Sequence, residues 1–412
     1  MLHRDVRIES ISVEDVRIRN RMMGSGSDAA NPHTDYSNPY LIIRTSHDAY
    51  EGHGIGFTLG RGNDMVCQAV SELAPILEGN ELGDILDNMH TYWRTLANPL
   101  QARWIGPGSG PYYMAAGAIL NAVFDLWAKI EEKPLWKALC DLEPERIVAM
   151  LDTRYVEHLM THVEAMAVLH DGREGYEARV AELEQYGLPC YFTTWIGSGV
   201  DELVEQVGRV REEKGIGAFK VKVGSSLEHD RERLGALRDA YGGDIELMTD
   251  SNQVWSVPQA IEWMQSLAEF DITWIEEPTA PDLVDGHRAI RHALAGYGIE
   301  VVSGENCPNS QLAAQLIAGQ AVDRFQVDSC RVLGPPENML IMLLARKYRV
   351  PICPHAGGSG LDELVPHLSG WNYASCAPDL DRVKVEHVGF CGEHFLHPSV
   401  VEDGRLRMPT EP

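Results

Sequence analysis

From about residue 146 onward, short apolar segments alternate with longer amphipathic ones, a pattern that restricts this part of the chain to a parallel sheet wrapped by helices. The apolar segments are IVAMLDTRY, PCYFTTW, FKVKVG, IELMTDSN, ITWIEEP, EVVSGEN, RFQVDSC, VPICPHAG and RVKVEHV, each expected as a strand. Amphipathic stretches such as DELVEQVGRVREEK and VPQAIEWMQSLAEF separate them and are expected as helices. So many strand–helix units favour a closed (β/α) barrel over an open sheet. The chain has 412 residues, enough for such a barrel and a second unit.

The first 143 residues read as α+β. RIESISVEDVRI alternates like a strand, and YLIIRTSHDAYEGHGIGFT reads as a hairpin around a polar turn. Between them, residues 22–40 are rich in Gly, Ser, Asn, Asp and Pro and are expected as one long loop. AAGAILNAVFDLWAKIEEK carries apolar residues at helical spacing, with Pro134 just beyond its end.

The barrel segments share an unusual ending. FKVKVG finishes on Lys220 and Lys222, IELMTDSN on Asp250 and Asn252, and ITWIEEP on Glu276 and Glu277. Glu305, Asp328, His355 and Glu386 close the four that follow. Consecutive members lie roughly 23 to 31 residues apart, about one βα unit each. In a parallel barrel all those ends meet at one face, so residues dispersed in sequence converge in space. Taken singly, each has an ordinary explanation. A carboxylate at a strand end is more often a helix cap, a lone histidine is more often structural, and Lys220 with Lys222 could mark an exposed edge strand. Seven successive ionisable endings are costly to keep without a use, because unpaired charge at a barrel mouth is unfavourable.

Charge and cysteine usage remove other classes. With 61 Asp and Glu against 35 Lys and Arg the formal net charge is −26, which repels nucleic acid and anionic membranes. A small anionic substrate stays possible where local cations reverse the field. The eight cysteines form no C-x-x-C pair, against a zinc ribbon, a redox motif or a disulfide scaffold. MLHRDVRIES lacks an apolar signal core, and no run of about 18 apolar residues suggests a membrane span, so a reducing cytoplasm is the expected compartment.

The order Lys-x-Lys, Asp-x-Asn, Glu-Glu-Pro, Gly-Glu-Asn, Asp, His, Glu resembles the mandelate racemase group of the enolase superfamily. Within it, GSDAANPHTDYS, GRGND, RWIGP, WIEEPTAPD and PHAGGSGLDELVPHL make the chain most similar to the L-fuconate dehydratase family. The resemblance implies a modified TIM-type (β/α)7β barrel over residues 144–390, an α+β capping domain over 1–143, and a C-terminal segment, 391–412, packing back on the cap. It also implies that the loops near 22–40 and 60–64 set sugar specificity and exclude water.

Residue roles follow from the same resemblance. Asp250, Glu276 and Glu305 form an oxygen-only ligand set suited to Mg2+ rather than zinc. Lys222 is the expected base, its pKa depressed by Lys220 and the metal, and Lys220 also binds the substrate carboxylate. His355, oriented by Asp328, serves the opposite face. Glu386, with a raised pKa, is expected to donate a hydrogen bond to the carboxylate, and Asn252 to contact substrate. The implied activity is removal of the C2 proton of an aldonate such as L-fuconate with loss of the 3-hydroxyl, giving a 2-keto-3-deoxy acid. A racemase or epimerase, or a dehydratase of another acid sugar, using the same site, and a non-catalytic binding descendant, are the alternatives. A homo-oligomer binding only a small acid sugar is expected. Asn306, in place of the His often found there, and DSCRVLGPPEN, where Leu333 and Gly334 replace an expected Gly pair, depart from the family pattern near the mouth.

Overall fold

The computed structural model describes residues 5–19, 26–106, 108–380, 383–389 and 391–412. Residues 22–25 of the expected loop lie outside the described residues.

Three antiparallel strands open the chain: β1 (Ile8–Arg19), β2 (Asp35–Thr45) and β3 (Glu51–Ile55), in that order in the sheet. Residues 35–40, expected as loop, are instead the start of β2, with Asp35 opposite Arg19 and Tyr40 opposite Glu14. Their turn-prone composition yields to pairing and burial. Tyr36 is buried, and the buried Asn38 amide donates to Gly56 O at 2.7 Å and Ser359 O at 3.1 Å. The helix Gly110–Ile130 packs against β3, buried along most of its length.

The barrel is built from β4 (Leu188–Thr194), β5 (Ala218–Lys222), β6 (Glu246–Asp250), β7 (Ile272–Glu276), β8 (Glu300–Ser303) and β9 (Arg324–Phe325), all parallel neighbours in chain order. A parallel bridge from Phe325 to Ile352 supplies the seventh position, and β10 (Val385–His387) pairs with β4 to bring the sheet round on itself. A helix follows each of the first seven positions, the last being Leu361–Ser375, so the architecture is a (β/α)7β barrel under an α+β cap. Two expected strands, RFQVDSC and VPICPHAG, shrink to two residues and a single bridge. IVAMLDTRY is not a strand: its first four residues end the helix Pro144–Met150, started by Pro144 and Glu145 in the first turn. A short apolar run fits either a buried strand or a buried helix, and here the N-terminal proline decides.

The cap is locked onto the barrel by buried polar groups. Tyr113 on the long cap helix donates its hydroxyl to Glu337, whose two oxygens also accept from Ser310 N and Leu333 N, each at 2.7 Å. Asn121 Nδ2 reaches Ser329 O at 3.1 Å. Tyr113→Phe is expected to lower unfolding free energy by about 2 kcal/mol in urea titration, because it removes a donor from a buried carboxylate. The last residues touch both parts. Trp136 Nε1 donates to Pro409 O at 2.9 Å, and the strand β12 (Arg405–Leu406), hairpinned to β11 (Val401–Glu402), pairs with β4.

Candidate active site

Strand register brings the charged endings together. Lys222 on β5 lies opposite Asp250 on β6, and Asp250 opposite Glu276 on β7. In-register neighbours on parallel strands point to the same face, so all three enter the barrel interior at one level. One layer below, Tyr191, Met248 and Trp274 plug the barrel, with the Tyr191 and Trp274 rings edge to face at 5.4 Å. Glu305 follows Gly304, whose φ of +145° leaves a Cβ only 2.8 Å from the Gln326 backbone, so glycine is required at that turn. Asn252, Gln253 and Glu277, just past two ligand candidates, also hold positive φ. Such strain persists only where the surroundings enforce it, and it clusters at functional sites.

One carboxylate oxygen each from Asp250, Glu276 and Glu305 lies within 4.8 Å of the others. Asp250 and Glu276 are fully buried, and Glu305 Oε2 is buried without a hydrogen-bond partner. Three converging acidic side chains, one of which carries an oxygen without a hydrogen-bond donor, fit a hard divalent cation. Glu277 is turned away from this set: it accepts two bonds from Gln253 Nε2 at 2.9 Å and one from Asn306 Nδ2 at 3.1 Å. Asn306 also donates to Glu305 Oε1 at 3.1 Å, so this departure from the family pattern bridges the two carboxylates.

The lysines stand against these acids. Lys220 Nζ lies 2.7 Å from Glu276, 2.8 Å from Glu386 and 3.5 Å from Asp250. Lys222 Nζ lies 2.5 Å from Asp250 Oδ2 and 5.5 Å from the centre of the Trp195 ring. Burial acts to lower the Lys222 pKa and Lys220 adds to that, but Asp250, Glu305 and Glu276 together outweigh both and the value rises. The acids that could hold a cation here hold the lysine proton. Burial alone would raise the Glu386 pKa, yet Lys220 and His355 hold it well below the usual carboxylate range. Glu386 is thus an acceptor, taking bonds from Thr193 Oγ1 and from Ala356 N at 2.7 Å. In place of the expected raised pKa and donor role, the carboxyl beside Lys220, His355 and Thr193 stands as an acceptor.

His355 and Asp328 do pair, Nδ1 to Oδ2 at 2.6 Å, with Nε2 facing Glu305 Oε2 at 3.4 Å. Burial lowers the imidazole pKa, but Glu305 and Asp328 outweigh it and carry it up to about 10. Lys222, Asn252, Glu305, Asp328, His355 and Glu386 line one cavity of about 530 Å3. Its outer wall comes from the cap: Asp28 and Asn31 from the expected specificity loop, and Arg61 and Gly62 from GRGND. Trp195 and Gln326 did not stand out in the sequence. Trp195 closes PCYFTTW, the one barrel segment without an ionisable ending, and Gln326 donates to Glu276 Oε2 at 2.6 Å. Two-residue spacing from Asp328 would have flagged Gln326.

Residues 202–412 match the model of the enolase C-terminal domain-like family. The chain is 44% identical over 412 residues to L-galactonate dehydratase of Hypocrea jecorina, covering 99% of this chain and 91% of that protein. The chain belongs to the enolase superfamily. The crystal structure of human mitochondrial enolase superfamily member 1 superimposes with a TM-score of 0.96 at 40% identity, covering 98% of this chain and 92% of that one. L-talarate/galactarate dehydratase from Salmonella typhimurium LT2, liganded with Mg and L-lyxarohydroxamate, gives a TM-score of 0.76 at 25% identity, over 98% of this chain and 89% of that one. Among the described residues, no helix is long and apolar enough to cross a membrane.

Proposed function

We propose that this superfamily member is a Mg2+-dependent acid-sugar dehydratase that removes the C2 proton of an aldonate and expels the 3-hydroxyl, yielding a 2-keto-3-deoxy acid. The observation that carries the reading is a single cavity holding a lysine, a histidine–aspartate pair and the mouth of a three-carboxylate cluster. The named activities of the Hypocrea and Salmonella relatives support the same chemistry. L-fuconate is 6-deoxy-L-galactonate, so an aldonate of L-galacto configuration is the proposed substrate, with the cap wall meeting its C6 end.

Asp250, Glu276 and Glu305 would hold the metal. When bound, Mg2+ supplies positive charge to offset the negative charge that spreads onto the substrate carboxylate as C2 loses its proton. Lys220 contributes a second positive charge to the same carboxylate. Lys222 takes the C2 proton, and for that it must first be neutral. The Lys222 ammonium now held on Asp250 would compete with a cation there, and the neighbouring Lys220 ammonium favours the neutral amine at Lys222. His355 enters as imidazolium, kept so by Asp328, and gives a proton to the departing 3-hydroxyl. Glu386 anchors Lys220 and the Ala356 amide, and Asn252 turns into the cavity mouth.

A screen of aldonates and aldarates for keto-acid formation tests this reading. Water loss from L-galacto-configured aldonates is the expected result, whereas deuterium exchange at C2 without water loss would replace it with racemisation or epimerisation. Asp250→Ala is expected to abolish Mg2+ binding by calorimetry and keto-acid formation together. Calorimetric Mg2+ binding retained in that variant would remove Asp250 from the ligand set.

A further inference from the structure

The pairing of β4 with β5 stops at Thr194 opposite Val221. One residue further, the main-chain carbonyls of Trp195 and Lys222 both accept from the same group, the Arg233 guanidinium, at 2.8 and 2.5 Å. Arg233 lies on the helix Leu227–Tyr241, and its side chain is wholly buried. Its counter-charge, Asp230, is equally buried one turn earlier on that helix. Asp230 Oδ2 accepts from Gly224 N at 2.8 Å and from Trp263 Nε1 at 2.9 Å. The chain must turn sharply here: Gly224 holds φ +104°, and a Cβ would sit 2.8 Å from Val254. So two buried side chains on one helix, Arg233 and Asp230, grip the end of β4, the end of β5 and the turn after β5.

A guanidinium is a costly way to fill space, since an apolar side chain of similar volume would avoid desolvating a charge. Its planar fork has a property that an apolar group lacks: two donors at fixed spacing. The two carbonyls it holds belong to residues that both line the cavity, and whose side chains touch, ammonium over ring. We propose that Arg233 is a positioning residue for proton abstraction, fixing the Lys222 amine relative to the Trp195 ring by holding both main-chain carbonyls on one rigid group. This rests on the reading of Lys222 as the base.

The test compares Mg2+-loaded wild type with Arg233→Met and Arg233→Lys on two readouts. Aldonate turnover separates kcat from KM. Modification of Lys222 by trinitrobenzenesulfonate, followed by peptide mass spectrometry, reports where that amine sits without any turnover. Arg233→Met is expected to lower kcat about 100-fold with KM within about threefold, since a small misplacement of a reacting group acts on the chemical step. Lys222 labelling should change in the same variant, and Arg233→Lys, which can reach one carbonyl but not both, should recover part of each effect. Wild-type kcat in Arg233→Met would overturn the proposal. So would a loss of kcat that only tracks the folded fraction by circular dichroism while Lys222 labels at the wild-type rate. Should Arg233→Met not fold, Arg233→Lys decides: wild-type kcat and labelling in it overturn the proposal. If wild type turns over no acid sugar the dehydratase reading falls, while the labelling comparison still decides the role of Arg233.

Discussion

Lys222→Ala is expected to abolish keto-acid formation, a fall of about 10,000-fold in kcat, at the upper end of what a positioned base contributes. The fold should survive. Asp250 keeps the Lys220 ammonium at 3.5 Å and the Asn252 main-chain N–H at 2.9 Å, so no buried carboxylate is left without a partner. Mg2+ affinity should be unchanged or higher, because the amine that now sits on Asp250 competes for the same oxygen. Lys222→Arg should be equally inactive, since a guanidinium stays protonated at any working pH. A keto-acid assay, circular dichroism and calorimetry on the same preparations separate these effects. Near wild-type dehydration by either variant would remove Lys222 from the role of base.

His355→Asn should separate the two halves of the reaction. Dehydration is expected to fall by about 10,000-fold, because the 3-hydroxyl leaves as a poor leaving group without a proton donor. Exchange of the C2 proton with solvent should continue, because Lys222 and the carboxylate cluster are untouched. Proton NMR in deuterium oxide reads this as loss of the C2 signal without keto-acid product. Wild-type dehydration would exclude His355 as the acid. Loss of exchange as well would place His355 in the proton abstraction step, as in a two-base racemisation.

These two residues show what kind of information the sequence holds. Lys222, Asp250, Glu276, Glu305, Asp328, His355 and Glu386 were each visible as an ionisable residue near the end of an apolar segment. Chain periodicity places such residues at one barrel face whatever the details of packing. Strand–helix alternation likewise made the barrel legible, because burial on both faces of a parallel strand leaves a run of apolar residues. Where that signal was ambiguous it failed. IVAM became the end of a helix, and residues 35–40 joined a sheet in spite of their turn-prone composition, because a neighbouring strand can satisfy a backbone whose sequence is locally indifferent.

Charge states were beyond the sequence. Burial and, as expected, Lys220 act to lower the Lys222 pKa, but Asp250, Glu305 and Glu276 together raise it. Glu386, expected to be protonated, is held low by Lys220 and His355 against its burial. A pKa depends on which opposite charge stands nearest. That is Asp250 for Lys222 and Lys220 for Glu386, contacts made across strands 28 and 166 positions apart in the chain. Arg233 is a similar case. On its helix it looks like one more solvated arginine, and only the folded chain puts its guanidinium against two strand-end carbonyls. The sequence by itself determined the barrel, the inventory of acids and bases and their common face, because these follow from short-range periodicity. Tertiary structure alone decided who touches whom, because electrostatic interaction changes steeply over a few ångströms and no spacing along the chain encodes a distance across it.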